Sequence, residues 1–239
     1  MAHSPAPMLG ALPFAEAVAR IPAELRPLLE GVRPRRVARM VEVLDQRLGS
    51  VILVAEAIRR RHNVSALIRT ADAFGLHEVH LVAGDFQPSR GAARGSERWI
   101  EIRRQPDTAT CIAELHARGF RVFAADLAPG AVTPEDLPVD SPVALLFGSE
   151  LAGLSAAARA RADGFVVVPM AGFVESLNVS AAAAITTRVV AARRRALVGA
   201  DLPEDVRLTA LRTWLAREDR YGRAAFARCR ADRTSPATR

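Results

Sequence analysis

The chain has 239 residues, half of them hydrophobic, and a formal net charge of +7. This length fits one large α/β domain with extensions or two small domains. No apolar stretch approaches the length of a membrane span, and no secretory signal is evident at the start, which argues against a membrane or secreted protein. Cys111 and Cys229 are far apart and have no metal-ligand companions, so we expect two free thiols, no metal site and a cytoplasmic location.

The positive charge is placed unevenly. All 33 basic residues are arginine, and residues 188–239 hold 13 of them against six acidic residues. A guanidinium is a planar fork suited to phosphate, and a basic tail on a neutral domain is typical of nucleic-acid-binding proteins. A solvated helix with high arginine usage is the alternative explanation.

Short apolar runs alternate with helical patterns along the chain. An irregular proline-containing arm over residues 1–32 is followed by a helix at 35–48 with a basic face. A strand at 51–55, a helix at 64–74 and a strand at 78–82 come next, and a loop at 86–97 leads to a strand at 99–102. A helix at 108–118 is then followed by strands at 120–125 and 143–147, a helix at 155–162 and a strand at 165–168. The last elements are a helix at 177–197 and one or two helices within 202–229.

This alternation indicates an α/β fold, a mostly parallel sheet with helices on both faces. We divide the chain into a proline-rich arm and basic helix at 1–48, the α/β domain at 49–198, and a basic helical tail at 199–239.

The tetrapeptide Asn-Val-Ser-Ala occurs twice, and its copies contain the only two asparagines, Asn63 and Asn178. Each copy follows a predicted strand and opens an alanine-rich helix. Asparagine is a strong helix N-cap, so we predict that Asn63 caps its helix. Its amide group also suits recognition of a polar ligand beside a helix N-terminus.

Three segments that contain polar residues lie at the carboxyl ends of predicted strands, where ligands bind in open α/β sheets. In the first, Arg69 lies nearly two helical turns after Asn63; spacing alone slightly favours a buried ion-pair partner over a functional cation. In the second, Gly148 ends a strand, and Glu150 either accepts a hydrogen bond from a ligand or belongs to an ordinary turn. In the third, Ser176 precedes a helix of small residues, with no paired His and Asp to make it a nucleophile.

Together and in this order, the three segments resemble the SpoU/TrmH branch of the SPOUT RNA ribose methyltransferases. His62–Thr70 resembles the family string His-Asn-Xaa-Ser-Ala-Xaa-Xaa-Arg-Thr. Phe147–Gly153 resembles Phe-Gly-Xaa-Glu-Xaa-Xaa-Gly, and Pro169–Ser180 resembles Pro-Met-Xaa-Gly-Xaa-Xaa-Xaa-Ser-Leu-Asn-Val-Ser. The resemblance covers about residues 35–198. It is greatest to the members that methylate the ribose of guanosine 18 in the tRNA D-loop, because no separate folded domain precedes the first motif.

The resemblance implies S-adenosylmethionine as methyl donor, tRNA as substrate, a homodimer, and a deep trefoil knot in the carboxyl-terminal part of the domain. It implies that Arg69 is the central catalytic residue, as a base or as an electrostatic stabiliser, and that Asn63 orients Arg69 or the ribose. The remaining catalytic candidates are Glu150, Ser176 and Asn178. The candidates for binding the cofactor, largely through the backbone, are Leu146, Phe147, Gly148, Val168, Met170, Ser176 and Leu177. The candidates for binding tRNA phosphates are Arg35, Arg36, Arg39, Arg193, Arg194 and Arg195.

Three other functions remain open at the level of sequence. The substrate could be ribosomal RNA or another tRNA ribose. The chain could be a catalytically silent RNA-binding protein, although the complete set of motif residues argues against that. A small-molecule α/β enzyme would explain the glycine turns but not the basic tail.

Overall fold

A computed structural model describes residues 12–82 and 95–218. The described residues form two compact units, one of residues 47–202 and one that combines 12–46 with 203–218. Most of the predicted loop at 86–97, Cys229 and the end of the tail lie outside the described residues. None of the helices in the described ranges is long and apolar enough to cross a membrane.

The 47–202 unit contains a six-stranded sheet in which every pairing is parallel, with the order β3-β2-β1-β5-β4-β6. The strands are β1 (Val51–Glu56), β2 (Glu78–Val82), β3 (Glu101–Gln105), β4 (Arg121–Ala125), β5 (Val143–Phe147) and β6 (Gly164–Val166). The two central strands, β1 and β5, are buried along their whole length, as expected for apolar strands covered on both faces. The predicted parallel α/β fold is confirmed.

Helices cover both faces of this sheet. In chain order, the helices of the molecule are α1 (Phe14–Ala19), α2 (Pro34–Leu44), α3 (Arg61–Ala73), α4 (Thr108–Ala117), α5 (Ala156–Arg161), α6 (Val179–Val198) and α7 at 204–218. Leu67 of α3 and Val190 of α6 belong to one buried cluster. Ile112 of α4 and Ala158 of α5 belong to the other, so the sheet has a separate apolar core on each side.

The order of the strands reverses between β1 and β5. From β1 the chain proceeds outward through β2 to β3, and it then crosses to the other half of the sheet, which holds β5, β4 and β6. In sheets of this kind, ligands bind in the crevice at the carboxyl ends of the strands at the reversal. Here that crevice is formed by the connection from β1 to α3 and by the loop that follows β5.

The second unit brings together residues from both ends of the chain. Asp45, the C-cap of α2, accepts hydrogen bonds from Arg20 at 2.8 Å and from Arg207 of α7 at 3.0 Å. Trp214 and Leu215 of α7 are buried, which gives this helix an apolar face. The sequence analysis treated the two flanks as separate segments, because no periodic pattern indicates that they associate.

Two ionisable residues are buried where β2 begins. Burial lowers the pKa of His77 from 6.5 to about 4. Burial alone would raise the pKa of Glu78, but hydrogen bonds from His80 and Arg118 outweigh it and lower that pKa from 4.5 to about 2. In the folded protein, both groups therefore take up a proton only at a lower pH than they do in the unfolded chain.

We expect the free energy of unfolding to decrease as the pH falls from 6.5 to about 4, because the unfolded chain protonates His77 before the folded protein does. The ionised Glu78 contributes to the free energy of unfolding above pH 4.5. This contribution is lost as the pH falls from 4.5 towards 2, which is a lower pH range than that of His77. Urea unfolding at pH 7 and pH 4.5 measures the first effect, and His77→Gln should reduce the difference between the two pH values. An unchanged difference in that variant would contradict the assignment.

Candidate active site

A chain of hydrogen bonds joins the three motifs at the reversal of strand order. The Asn63 side-chain amide donates to Glu150 Oε1. Asn178 Nδ2 donates to Asn63 Oδ1 at 3.3 Å. Asn178 Oδ1 accepts from Ser180 at both its backbone nitrogen, at 2.8 Å, and its hydroxyl, at 2.5 Å. Residues from the first, second and third motifs are thus held in one network.

The two asparagines have different roles in this network. Asn178 is the N-cap of α6, as its position before an alanine-rich helix predicts. The predicted cap at Asn63 is wrong, because α3 begins at Arg61 with Arg60 as its N-cap. Asn63 lies inside the first turn and is only 1% exposed, so its amide bonds to other segments instead of to its own helix.

The second motif forms a tight loop after β5. Ser149 and Gly153 exchange two backbone hydrogen bonds of 3.0 and 2.9 Å, and Gly153 has a positive φ of 63°. A Cβ at Gly148 would overlap the carbonyl oxygen of Gly153 and lie 2.7 Å from the Leu154 nitrogen, so only glycine fits there. The closed loop holds Glu150 towards Asn63.

Glu56, which the sequence analysis missed, fixes the far end of this loop. It is the last residue of β1 and is 3% exposed. Its carboxylate accepts hydrogen bonds from the Ser155 backbone nitrogen at 2.9 Å, from the Ser155 hydroxyl at 2.6 Å and from the Thr108 hydroxyl. Ser155 is in turn the N-cap of α5. The available signal was a single acidic residue at the end of an otherwise apolar strand.

Arg69 is exposed, and the structure gives it no hydrogen bond or ion pair among the described residues. The ion-pair role that spacing favoured is therefore wrong, and Arg69 is a cation available to a ligand. No hydrogen bond joins it to Asn63 in the described part of the chain, so Asn63 does not orient Arg69 directly. Ser176 is also exposed and, within those same residues, has no hydrogen-bond partner.

The residues predicted to bind the cofactor lie in or beside the same loops. Leu146 and Phe147 are fully buried in β5, so only their backbone can reach a ligand. Gly148 is partly accessible in the loop after that strand. Three apolar side chains after β6 are half-buried: Val168, Met170 and Leu177. No group of His, Cys, Asp and Glu side chains suited to a metal ion occurs within the described ranges.

Arg193, Arg194 and Arg195 point into the protein. Arg193 donates to the carbonyl oxygens of Pro134 and Leu137, at 3.1 and 2.5 Å. Arg194 is 7% exposed and bonds to Ser50 and to two further carbonyl oxygens. The phosphate role predicted for Arg194 is wrong because its guanidinium is buried.

Arg195 is half-buried, and its guanidinium donates to the Phe74 carbonyl oxygen at 3.2 Å. Burial lowers its pKa. Because Arg195 is half-buried and its guanidinium is bonded to a carbonyl oxygen, the structure does not support a phosphate-binding role for it.

The arginines predicted on α2 are more accessible. Arg35 is exposed. Arg36 forms an ion pair with Glu218 at 3.4 Å, and Arg39 lies 3.7 Å from Glu42. The side chains of both residues remain more than two-fifths exposed, at 43% and 42%.

Residues 50–188 match the SpoU rRNA Methylase family, and the chain therefore belongs to this family. It is 36% identical over 156 residues to the tRNA (guanosine(18)-2'-O)-methyltransferase of Escherichia coli K12, covering 64% of this chain and 68% of the relative. The Aquifex aeolicus TrmH/SpoU tRNA modifying enzyme has a similar structure, with a TM-score of 0.71, 29% identity, and coverage of 77% of this chain and 96% of the other.

A third similar protein is an AdoMet-bound rRNA methyltransferase from Sinorhizobium meliloti. Its TM-score is 0.53 at 30% identity, with 64% of this chain and 60% of the other covered. The family expectation from the three motifs is confirmed.

We expect Glu56→Gln to loosen the loop after β5, because the Gln amide cannot accept all three hydrogen bonds. Amide hydrogen exchange should become at least about tenfold faster at Ser155 and in the first turn of α5. Glu78→Gln is the matched control, since Glu78 is also a buried strand glutamate, 6% exposed, but lies where its strand begins. Equal effects of both variants on Ser155 would contradict the role of Glu56.

Proposed function

We propose that this protein transfers a methyl group from S-adenosylmethionine to the 2'-hydroxyl of a tRNA ribose, that of guanosine 18 in the D-loop. The observation that carries the proposal is the network of Asn63, Glu150 and Asn178 at the reversal of strand order. Arg69, on the same helix as Asn63, has no ion-pair partner within the part of the chain that the structure describes. The Escherichia coli relative named for this reaction is similar to the chain over 156 residues, which supports the proposal.

The loops after β5 and β6 fit S-adenosylmethionine. Gly148 and the backbone of its loop offer main-chain donors and acceptors for the polar edge of an adenine and for the ribose. Val168, Met170 and Leu177 are half-buried and apolar, which suits the faces of the same base. When bound, the cofactor supplies an electrophilic methyl group on a sulfonium ion.

Arg69 is proposed to act on the attacking ribose hydroxyl. The hydroxyl would pass its proton to solvent water, which leaves negative charge on the oxygen. As that oxygen forms its bond to the methyl carbon, the bond from this carbon to the sulfonium sulfur would break, and the cofactor would leave as a neutral thioether. A guanidinium has a pKa above about 12 and scarcely deprotonates, so it serves better as a hydrogen-bond donor to that oxygen than as its base. Because Arg69 has no partner among the described residues, its donors are available for this task.

Asn63, Glu150 and Asn178 are proposed to keep the site in a single arrangement. Because Asn63 is buried, it positions its neighbours and does not touch the ribose. Glu150 is half-buried, and a carboxylate with one oxygen held by Asn63 has its other oxygen available to accept from a ligand hydroxyl or amine. Asn178 and Ser176 are exposed at the start of α6, where they can contact cofactor or substrate.

The tRNA phosphates are proposed to contact the arginines of α2, which are Arg35, Arg36 and Arg39. Their exposed guanidiniums support this role, and the charge of the segment at 199–239 adds to it. In this division, residues 49–198 carry the chemistry, and the flanks at 1–48 and 199–239 increase the affinity for RNA.

We also propose that the carboxyl-terminal part of the domain forms the trefoil knot implied by the sequence. β6 pairs with β4 on one side, where Val166 O accepts from Asp126 N at 3.1 Å. On its other side, Phe165 O accepts from Val132 N at 3.0 Å. Val132 belongs to the connection from β4 to β5, so β6 lies between β4 and a part of that connection, an arrangement that supports the knot.

The functional unit is proposed to be a homodimer in the cytoplasm, where tRNA is located. Four large apolar side chains in the loops after β5 and β6 and on α6 are exposed, and a second copy of the chain would cover them. They are Leu151, Phe173, Val174 and Ile185, which are 90%, 109%, 63% and 43% exposed.

We expect Arg69→Ala to lower the rate of methyl transfer about 10²–10³-fold or more, because it removes the donor to the developing oxyanion. Binding of S-adenosylmethionine, measured by calorimetry, should remain within about twofold of the unsubstituted protein. Arg121→Ala, at the beginning of β4, is the control and should retain full activity. Near-normal turnover by Arg69→Ala would contradict the mechanism.

Labelled S-adenosylmethionine with tRNA transcripts and ribosomal RNA fragments tests the substrate. We expect label at the D-loop guanosine, and a transcript with adenosine in place of that guanosine should accept none. Label on ribosomal RNA alone would favour the alternative substrate, which the Sinorhizobium meliloti relative represents.

A further inference from the structure

Most arginines of the 47–202 unit have partners inside the protein. Their guanidiniums bond to carboxylates or carbonyl oxygens, as in Arg47, Arg103, Arg118, Arg159, Arg193, Arg194 and Arg195. Arg59, Arg60 and Arg61 differ from these. All three are exposed, and within the described residues the structure gives none of them a hydrogen bond or an ion pair.

These three arginines lie next to the proposed active site. They occupy the connection from β1 to α3, where Arg60 is the N-cap of α3 and Arg61 its first residue. Asn63 follows two residues later, and Arg69 lies six residues beyond Asn63, which is about 9 Å along a helix axis. The cluster therefore lies at the amino end of the helix that also holds Asn63 and Arg69.

The position of the cluster is electrostatically unfavourable for the free protein. The amino end of a helix carries partial positive charge, and three neighbouring guanidiniums repel it and one another. The first turn of α3 contains no acidic residue that would offset this. A bound anion would reduce both the repulsion among the three guanidiniums and their repulsion by the helix end.

The backbone before the cluster is also strained. Ala57 has a φ of +50° and is the only non-glycine residue with positive φ in the described chain. Its nitrogen still donates to Val82 O at 3.0 Å, so the chain leaves the sheet in a sharp turn directly after that bond. Strained residues of this kind persist where the surroundings fix them, often beside functional sites. The turn directs Arg59–Arg61 away from the sheet and into solvent.

We propose that Arg59, Arg60 and Arg61 bind the RNA phosphates next to the nucleotide that is methylated. The inference rests on the proposed function and adds to it a phosphate site within the 47–202 unit, where the guanidinium of Arg194 is buried. The site reads no base, because guanidinium–phosphate contacts carry no sequence information. It fixes the position of the target strand over Arg69.

The test compares the full-length protein with the variant Arg59→Gln/Arg60→Gln/Arg61→Gln. Binding of a tRNA transcript is measured from 50 to 300 mM salt, and methyl transfer is measured with saturating S-adenosylmethionine. The variant should depend less steeply on salt: the magnitude of the slope of log K against log salt should fall by roughly 0.7 per lost phosphate contact, or about 2 in total. KM for tRNA should rise roughly tenfold or more. kcat at saturating tRNA and the affinity for S-adenosylmethionine should stay within about twofold.

The control removes the same charge elsewhere, with Arg104→Gln/Arg121→Gln/Arg161→Gln on β3, β4 and α5. Its slope and KM for tRNA should match those of the unsubstituted protein. The melting temperature of the Arg59–Arg61 variant should not decrease, because the exposed arginines repel one another. A decrease would indicate a structural role and overturn the inference.

An unchanged slope and KM in the Arg59–Arg61 variant, or an equal loss in the control, would also overturn the inference while leaving the proposed function intact. If the unsubstituted protein transfers no methyl group to any RNA, both fail. If the unsubstituted protein is active on tRNA and only the Arg59–Arg61 variant loses affinity, the phosphate site is established.

Discussion

The site depends on the hydrogen bonds of one buried side chain, that of Asn63. They join segments that lie 87 and 115 positions away in the sequence, at Glu150 and Asn178. A buried amide left without partners costs on the order of 1–3 kcal/mol for each unmet group, so α3, the loop after β5 and the start of α6 stabilise one another's positions. An asparagine suits this position because one planar group both donates to a carboxylate and accepts from a second amide.

Much of the fold and part of the site follow from local pattern. The bounds of β5 agree with the apolar run at 143–147, because a buried parallel strand is commonly apolar throughout. Those of β2 agree with the predicted strand at 78–82, although this strand contains the buried Glu78 and His80. Asn178 caps its helix as its propensity predicts. The same propensity predicts the wrong role for Asn63, because an asparagine amide can either cap its own helix or form hydrogen bonds to distant segments, and the sequence does not distinguish the two. Likewise, the partners of Glu56 and of Asp45 could not be predicted from local pattern, because each partner lies far away in the chain.

The many arginines of this protein perform two opposite tasks. Arg47 is fully buried, where it bonds to Asp72 at 2.7 Å and to carbonyl oxygens of neighbouring segments. Arg194 likewise ties the connection before β5 to α6. Several donors on one rigid plane allow a single side chain to satisfy several carbonyl groups that would otherwise be buried without partners. The net charge of the chain is therefore larger than the positive charge available on its surface. Only arginines whose guanidiniums remain in solvent, such as Arg35 and Arg59–Arg61, add to that surface charge.

The contact between Gly148 and Gly153 restricts how the loop after β5 can change. The space beside Gly148 is taken by the backbone of Gly153, Gly153 itself has a positive φ, and the four residues between them close the turn. A longer or shorter segment would separate Ser149 from Gly153 and swing Glu150 out of reach of Asn63. Descendants of this gene can vary the side chain at the exposed Ala152, but they can replace the turn only as a whole, with its length and both glycines inherited together.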